Sequence, residues 1–252
     1  MNTDMPVYYR CNMKTWEHIL VYIIASVLST VVAWLFYHIT PLAIILGFAA
    51  GIPLERMYRT STIRKRQKKL RMQFKDFLAS MTVAVRAGNV ETKAVEAALA
   101  DLKLSYSENS DIVREVSNIL LQYHNGGIAM KTLFEDLAVR SDLDDIRSFA
   151  TIYSVIEGKS DRFGDILVQT EEIIRDKVEI EQEIETTITS AKSETYVMLV
   201  MPVLIVAMLG AIGGEIMNSL FEPPLGTLSA TVALIIFGIS FAISMKVTDI
   251  NV

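Results

Sequence analysis

The chain has 252 residues, a formal net charge of -5 and a mean hydropathy of +0.35, although 21% of its residues are charged. Those charges crowd the middle and leave two flanks almost bare, which reads as membrane, cytosol, membrane. A single cysteine, Cys11, excludes an intrachain disulfide and a cysteine zinc site, and the net charge gives no reason to expect nucleic acid.

Residues 1–18 form a polar N-terminal tail. Arg10 and Lys14 precede an uncharged run, Ile19 to Tyr37, that is longer than a signal core and lacks a small-residue cleavage site, so it reads as a retained anchor. At about 1.5 Å per residue it crosses a ~30 Å hydrocarbon core. Pro41 suits the first turn of a new helix, and the second run, Pro41 to Leu54, is short. By itself it fits a tilted span or a re-entrant segment; with the first run it makes a membrane hairpin over 19–54. The third run, Tyr196 to Gly214, and the fourth, Leu228 to Met245, make a second hairpin over 196–245. Its loop, 215–227, holds Glu215, Glu222 and Pro223-Pro224, and a short tail, 246–252, follows.

Lysine and arginine mark the cytoplasmic side. Neither loop between paired runs contains one, whereas Arg56, Arg59, Arg64, Lys65, Arg66, Lys68, Lys69, Arg71 and Lys75 follow the second run and Lys246 follows the fourth. Four spans then place both termini and the central region, 55–195, in the cytoplasm.

That region is patterned as helix throughout. Leu70, Phe74, Phe77, Leu78, Met81 and Val85 recur at three- and four-residue spacing, giving an amphipathic helix over 63–87 that stops at Gly88-Asn89. Further helices are expected over 90–102, over 109–123 with a stop at Asn125-Gly126-Gly127, and over 129–139. Ser141 reads as the N-cap of the next, 142–157, with Asp144 three residues on. Gly158 ends that helix, and the last begins near Asp161 and runs toward the third span, with no proline between Leu54 and Pro202. The expected fold is all-α: two membrane hairpins flanking one antiparallel cytoplasmic bundle of about six helices.

The basic cluster Arg64, Lys65, Arg66, Lys68 and Lys69 has two compatible readings. It pairs with the acidic residues of the last helix, such as Glu171, Glu172 and Asp176, or it meets anionic lipid headgroups. Gly47 with Gly51 and Gly210 with Gly214 form Gly-x-x-x-Gly spacings that allow close helix packing, either within the membrane set or at an oligomer face. Pro202, one turn into the third span, reads as a hinge or a static kink. Gly158-Lys159-Ser160 is no phosphate loop, because Tyr153 stands where the first glycine belongs and no strand precedes it. Asp142, Asp144 and Asp145 suit a helix N-terminus better than a metal. No catalytic, metal or cofactor constellation is present, so an enzyme is not expected. The membrane runs hold no charged residue, which disfavours a transporter or channel subunit.

The order of several short motifs carries a resemblance. Leu78-Ala79-Ser80-Met81 leads to Arg86-Ala87-Gly88 and then Ala94 to Leu99. Gly126-Gly127, Leu133, Leu137 to Arg140 and Asp144-Asp145-Ile146 follow, then Gly158 to Leu167, Ile173-Ile174-Arg175, Ala191 and Pro202. Over about Phe74 to Val203 this resembles the type II secretion F-domain family, most closely its single-domain tight-adherence (Tad) pilus platform proteins. It departs at Gly158-Lys159, where the pattern has a glycine pair. The resemblance implies an inner-membrane platform, a hexameric secretion ATPase as cytoplasmic partner, pilin subunits as cargo, and a homo-oligomer or sister platform protein, since there is one such domain rather than two. On that reading the ATPase meets the turns remote from the membrane: Gly88, Asn89, Asn125, Gly126, Gly127, Gly158 and Lys159. A generic membrane scaffold is the alternative that the residue patterns leave open.

Overall fold

The computed structural model describes residues 5–9, 15–37, 40–157, 160–212 and 225–248. Among them every regular element is a helix: α1 (Thr15–Tyr37), α2 (Thr40–Arg86), α3 (Glu91–Ser105), α4 (Asp111–Gly126), α5 (Met130–Ser141), α6 (Asp144–Ile156), α7 (Ser160–Ile212) and α8 (Leu225–Thr248). The chain divides into two compact units, residues 1–12 with 60–180 and residues 13–59 with 181–252.

In the first unit the apolar stripe of α2 turns inward. Leu70, Phe74, Phe77, Leu78 and Met81 are fully buried, as are Ala94, Val95 and Ala98 of α3 and Ile112 and Val116 of α4. Helices α5 and α6 close the core as a hairpin. Phe134 sits among aromatics, edge-on to Phe149 at 5.1 Å and to Tyr153 at 4.8 Å, with Phe77 at 6.1 Å. Such edge-to-face pairs add about 0.5–1.5 kcal/mol each beyond their area. Two polar side chains of α2 are buried here, Gln73 and Thr82, and the Gln73 carbonyl accepts from the Ile112 amide at 3.3 Å.

Glycine sets two of the stops. Gly88 has φ 87 and Gly127 has φ 62, a left-handed conformation open to glycine at no steric cost. After α2 the Asn89 amide donates to the Ala84 carbonyl at 3.1 Å and its side-chain amide donates to the same oxygen at 3.0 Å. The Gly127 N–H reaches back to Gln122.

Two expectations are corrected. Ser141 does not cap α6: it is the buried last residue of α5, and its hydroxyl donates to the Ala138 carbonyl at 3.2 Å. The residue that breaks the helix is Asp142, at φ 53, and Leu143 precedes α6. Asp tolerates the left-handed region better than most residues, and its carboxylate meets Arg147 at 3.0 Å. Nor does the bundle's first helix begin near residue 63. It is the C-terminal part of α2, continuous from Thr40 through Pro53 to Arg86.

In the second unit, α1 packs on the first part of α2 and on α8. The Tyr22 hydroxyl donates to the Phe48 carbonyl at 3.2 Å, and their rings lie 6.3 Å apart. Among the described residues one helix, α7, is long and apolar enough to cross a membrane, in the stretch ending at Leu209; Ile19–Trp34 of α1 and Thr231–Ser240 of α8 are shorter apolar segments. The outward residues of α1 (Ile23, Ile24, Val27, Leu28), of α7 (Val197, Met198, Val200, Met201) and of α8 (Val232, Ile235, Ile236, Ile239) are exposed. The expected loop at 215–227 lies mostly outside the described residues.

Candidate functional surface

Antiparallel succession gathers the turns of the first unit at its two ends. At one end lie the close of α2, the start of α3, the close of α4, the start of α5, the close of α6 and the start of α7. Side chains join them pairwise. The Thr92 hydroxyl reaches the Tyr123 hydroxyl at 3.4 Å, and His124 Nε2 lies 3.3 Å from Glu96. The Lys131 amide donates to Glu157 at 3.4 Å while its ammonium sits 3.6 Å away from the same carboxylate. Gly164 of α7 lies against Val85 of α2 so closely that a Cβ there would meet Val85 at 3.3 Å. Beneath these turns the Tyr153 hydroxyl is pushed far above its ordinary pKa by burial, reinforced by Glu91 and Glu157. It is neutral at any physiological pH.

Five of the residues expected to meet an ATPase, Gly88, Asn89, Asn125, Gly126 and Gly127, sit exposed on this end. Beside them are Val90, 67% exposed, and the half-exposed Lys131 and His124. The surface is thus made of backbone-rich turns, exposed apolar side chains such as Val90 and both signs of charge. Gly158 and Lys159 lie outside the described residues.

The opposite end holds what the sequence reading missed. Glu115 of α4 is wholly buried, yet its carboxylate is fully engaged. Arg140 of α5 donates to it twice, Nη1 to Oε1 and Nη2 to Oε2, both at 2.7 Å, in the fork geometry that suits a carboxylate. The third donor comes from the N-terminal segment: Tyr8, 1% exposed, gives its hydroxyl hydrogen to Glu115 Oε1 at 2.8 Å. The Tyr8 amide donates to the Arg140 carbonyl at 2.8 Å, and Arg140 Nη1 returns a bond to the Pro6 carbonyl at 3.2 Å. Arg66 lies over the Tyr8 ring at 4.6 Å, a cation–π distance, and Arg140 also holds Asp136 at 2.6 Å. Burial raises the Tyr8 pKa far above its usual value, and the Glu115 charge adds to it. Burial opposes the charge on Arg140, but Glu115 and Asp136 outweigh it and hold its pKa above the ordinary value. The signal for this network was one acidic residue set inside the apolar stripe of Ile112, Val116 and Ile119.

A second polar hub is Asp145 of α6, only 6% exposed, which accepts from Arg71 of α2 and, at 2.9 Å, from Lys177 of α7. The expected basic cluster divides here. Arg66 turns inward to Asp111 of α4, with Nη2 at 3.0 Å, and that bond raises its pKa. Arg64, Lys65, Lys68 and Lys69 face outward.

Of the membrane-run residues, Gly51 is buried against α1, where a Cβ would stand 2.5 Å from Ser26 Oγ and 3.0 Å from Tyr22 Cε2. Gly47 and Gly210 lie within α2 and α7, and Gly214 lies outside the described residues. Pro202 is inside α7, which continues past it to Ile212.

The sequence pattern of the type II secretion system (T2SS) protein F family matches residues 77–211, more than half of the chain, from the inward face of α2 to the apolar end of α7. No significant match is found among curated proteins or among solved structures. With the matched pattern running from the last part of α2 through α3 to α6 and along α7, the chain belongs to the type II secretion system protein F family, a family of inner-membrane platform proteins of secretion and pilus-type machines that are generally not enzymes.

Proposed function

We propose that this chain is an inner-membrane platform protein of a Tad-type pilus or type II secretion machine, with four membrane spans and both termini in the cytoplasm. Its bundle couples a hexameric secretion ATPase to the insertion of pilin subunits into a filament. The observation that carries this reading is the family pattern over residues 77–211, which ends in an exposed apolar helix. With one such domain, the chain works as a homo-oligomer or beside a sister platform protein. The turn surface around Gly88, Asn89 and 125–127 is the ATPase contact, and Gly158 and Lys159 extend it. Gly47, Gly51, Gly210 and Gly214 serve helix packing in the membrane, Pro202 is a hinge, and Arg64, Lys65, Lys68 and Lys69 meet lipid headgroups.

The test is a detergent-solubilised pull-down against the secretion ATPase encoded in the same genome. Capture that is lost on deleting residues 63–190, and weakened by Gly88→Glu with Gly127→Glu in a folded chain, supports the reading. Absence of capture from folded protein, with the sister platform protein present, replaces it with a membrane scaffold unrelated to pili.

A further inference from the structure

The N-terminal segment is held unlike any other part of the first unit. It belongs to no helix, yet Tyr8 is as buried as the core phenylalanines. It reaches α4 and α5 across more than a hundred residues of sequence, in contacts that are polar and specific: amide to Arg140 carbonyl, Pro6 carbonyl to Arg140 guanidinium, phenol to Glu115 carboxylate, ring beneath Arg66. The helices around it are complete without it. Each of the three side chains that meet Tyr8 is fixed by a partner elsewhere: Arg140 by Asp136, Glu115 by Arg140, and Arg66 by Asp111. The groups that meet the segment are a cation over the ring, a carboxylate at the phenol and a backbone carbonyl at the amide. Those are the elements that select an extended peptide with a tyrosine: an acceptor placed for a phenol, a cation for the ring face, and main-chain groups for the strand.

We propose that this site is a tyrosine-reading peptide socket and that residues 5–9 are its resident, releasable ligand. A short irregular strap opens far more readily than the helices beneath it, because few backbone hydrogen bonds hold it. Docked, the strap covers the charged site on α4 and α5; released, it exposes that site.

The experiment uses the full chain in nanodiscs with residues 1–9 deleted, and a synthetic peptide of residues 1–12 labelled with a fluorophore on Cys11. Fluorescence anisotropy should show saturable binding. A Tyr8→Phe peptide should bind about 10- to 100-fold more weakly, since a hydrogen bond to a charged group is worth about that factor, and a Tyr8→Ala peptide should not bind. In the intact chain the Tyr8 amide should exchange with deuterium well before the α4 amides. No binding to a deleted chain whose circular dichroism is unchanged, or equal affinity for the Tyr8→Phe peptide, would overturn the socket. Exchange of the Tyr8 amide only together with α4 would make the strap a permanent part of the core and overturn its release. Intact chain carrying Arg66→Ala, which leaves Glu115 and Arg140 in place, should release the strap faster; unchanged exchange would count against the cation's part in holding it.

Discussion

Arg140→Met is the substitution whose cost is best defined by the structure. Arg140 is 13% exposed and Glu115 is not exposed at all, so the change leaves a carboxylate in the interior with its bidentate partner gone. Breaking a buried pair from one side costs about 3–5 kcal/mol, because the surviving charge is uncompensated. The lost bond to Asp136 adds little, since Asp136 is 39% exposed and solvent screens it. For a unit of this size the penalty corresponds to a fall in Tm of roughly 12–20 °C. The assay is thermal unfolding of the full chain in nanodiscs, followed by hydrogen exchange at α4 and α5 so that the helical unit is read separately. Glu115→Leu with Arg140→Met supplies the control. Removing both charges at once should restore part of the loss, because an apolar pair needs no partner, while the buried Tyr8 hydroxyl, left without its acceptor, retains the remainder. A single variant that melts within a few degrees of the natural chain, or a double variant no better than the single, would refute the assignment of a buried, mutually dependent pair.

Three further outcomes follow from the same structure. Gly51→Val should lower the melting temperature of the second unit, because its Cβ would stand 2.5 Å from Ser26 Oγ; overpacking costs about 1–3 kcal/mol, and Ser26→Gly should rescue the smaller Gly51→Ala change but not Gly51→Val. Gly88→Ala should destabilise the α2–α3 turn by about 1–2 kcal/mol through its positive φ alone, since no atom lies within 4 Å of the added methyl, and Gly88→Asn should cost less in the same denaturation series. Tyr106 donates its hydroxyl to Asp76, and burial together with that bond pushes its pKa up to about 12. The folded state therefore favours the neutral phenol. Its contribution is complete below pH about 10 and is lost as pH rises toward 12. Tyr106→Phe should remove that slope, so the melting curves of the two chains should converge across pH 10–12, and parallel curves would count against it.

What the sequence disclosed and what it withheld divide along the range of the interactions. The α2 stripe, the stops at Gly88 and Gly127 and the all-helical class rest on neighbours a few residues apart, where periodicity and glycine have a direct meaning. The misplacement of Ser141 has the same local origin: Ser141 with Asp144 fits the capping spacing, but the left-handed turn falls one residue later, at Asp142, and buries Ser141 in α5. The continuity of α2 through Pro53 was hidden because proline and a change from apolar to basic composition mimic a boundary, although no residue there breaks the helix. The Tyr8 socket was out of reach for a different reason. Glu115 is 107 residues away and Arg140 farther still, and nothing around residue 8 marks the tail as structured. Antiparallel succession alone brings alternate turns to one end, which is why Gly88, Asn89 and 125–127 lie together there, while Gly158 and Lys159 lie outside the described residues. The flanking side chains that shape that end, Val90 and Lys131, were not anticipated.

Asp145 carries a consequence for how this protein tolerates change. One carboxylate serves two cations from different helices, Arg71 and Lys177, so the three positions are unequal under mutation. Loss of either cation leaves Asp145 with the other, and the second loss should then be felt more severely than the first. Loss of Asp145 removes both links in a single step. Substitutions at 71 and 177 should therefore be non-additive, and a lineage could relax one of them only while the other stayed basic. The permissible histories of this site form a narrow path with Asp145 as its fixed point.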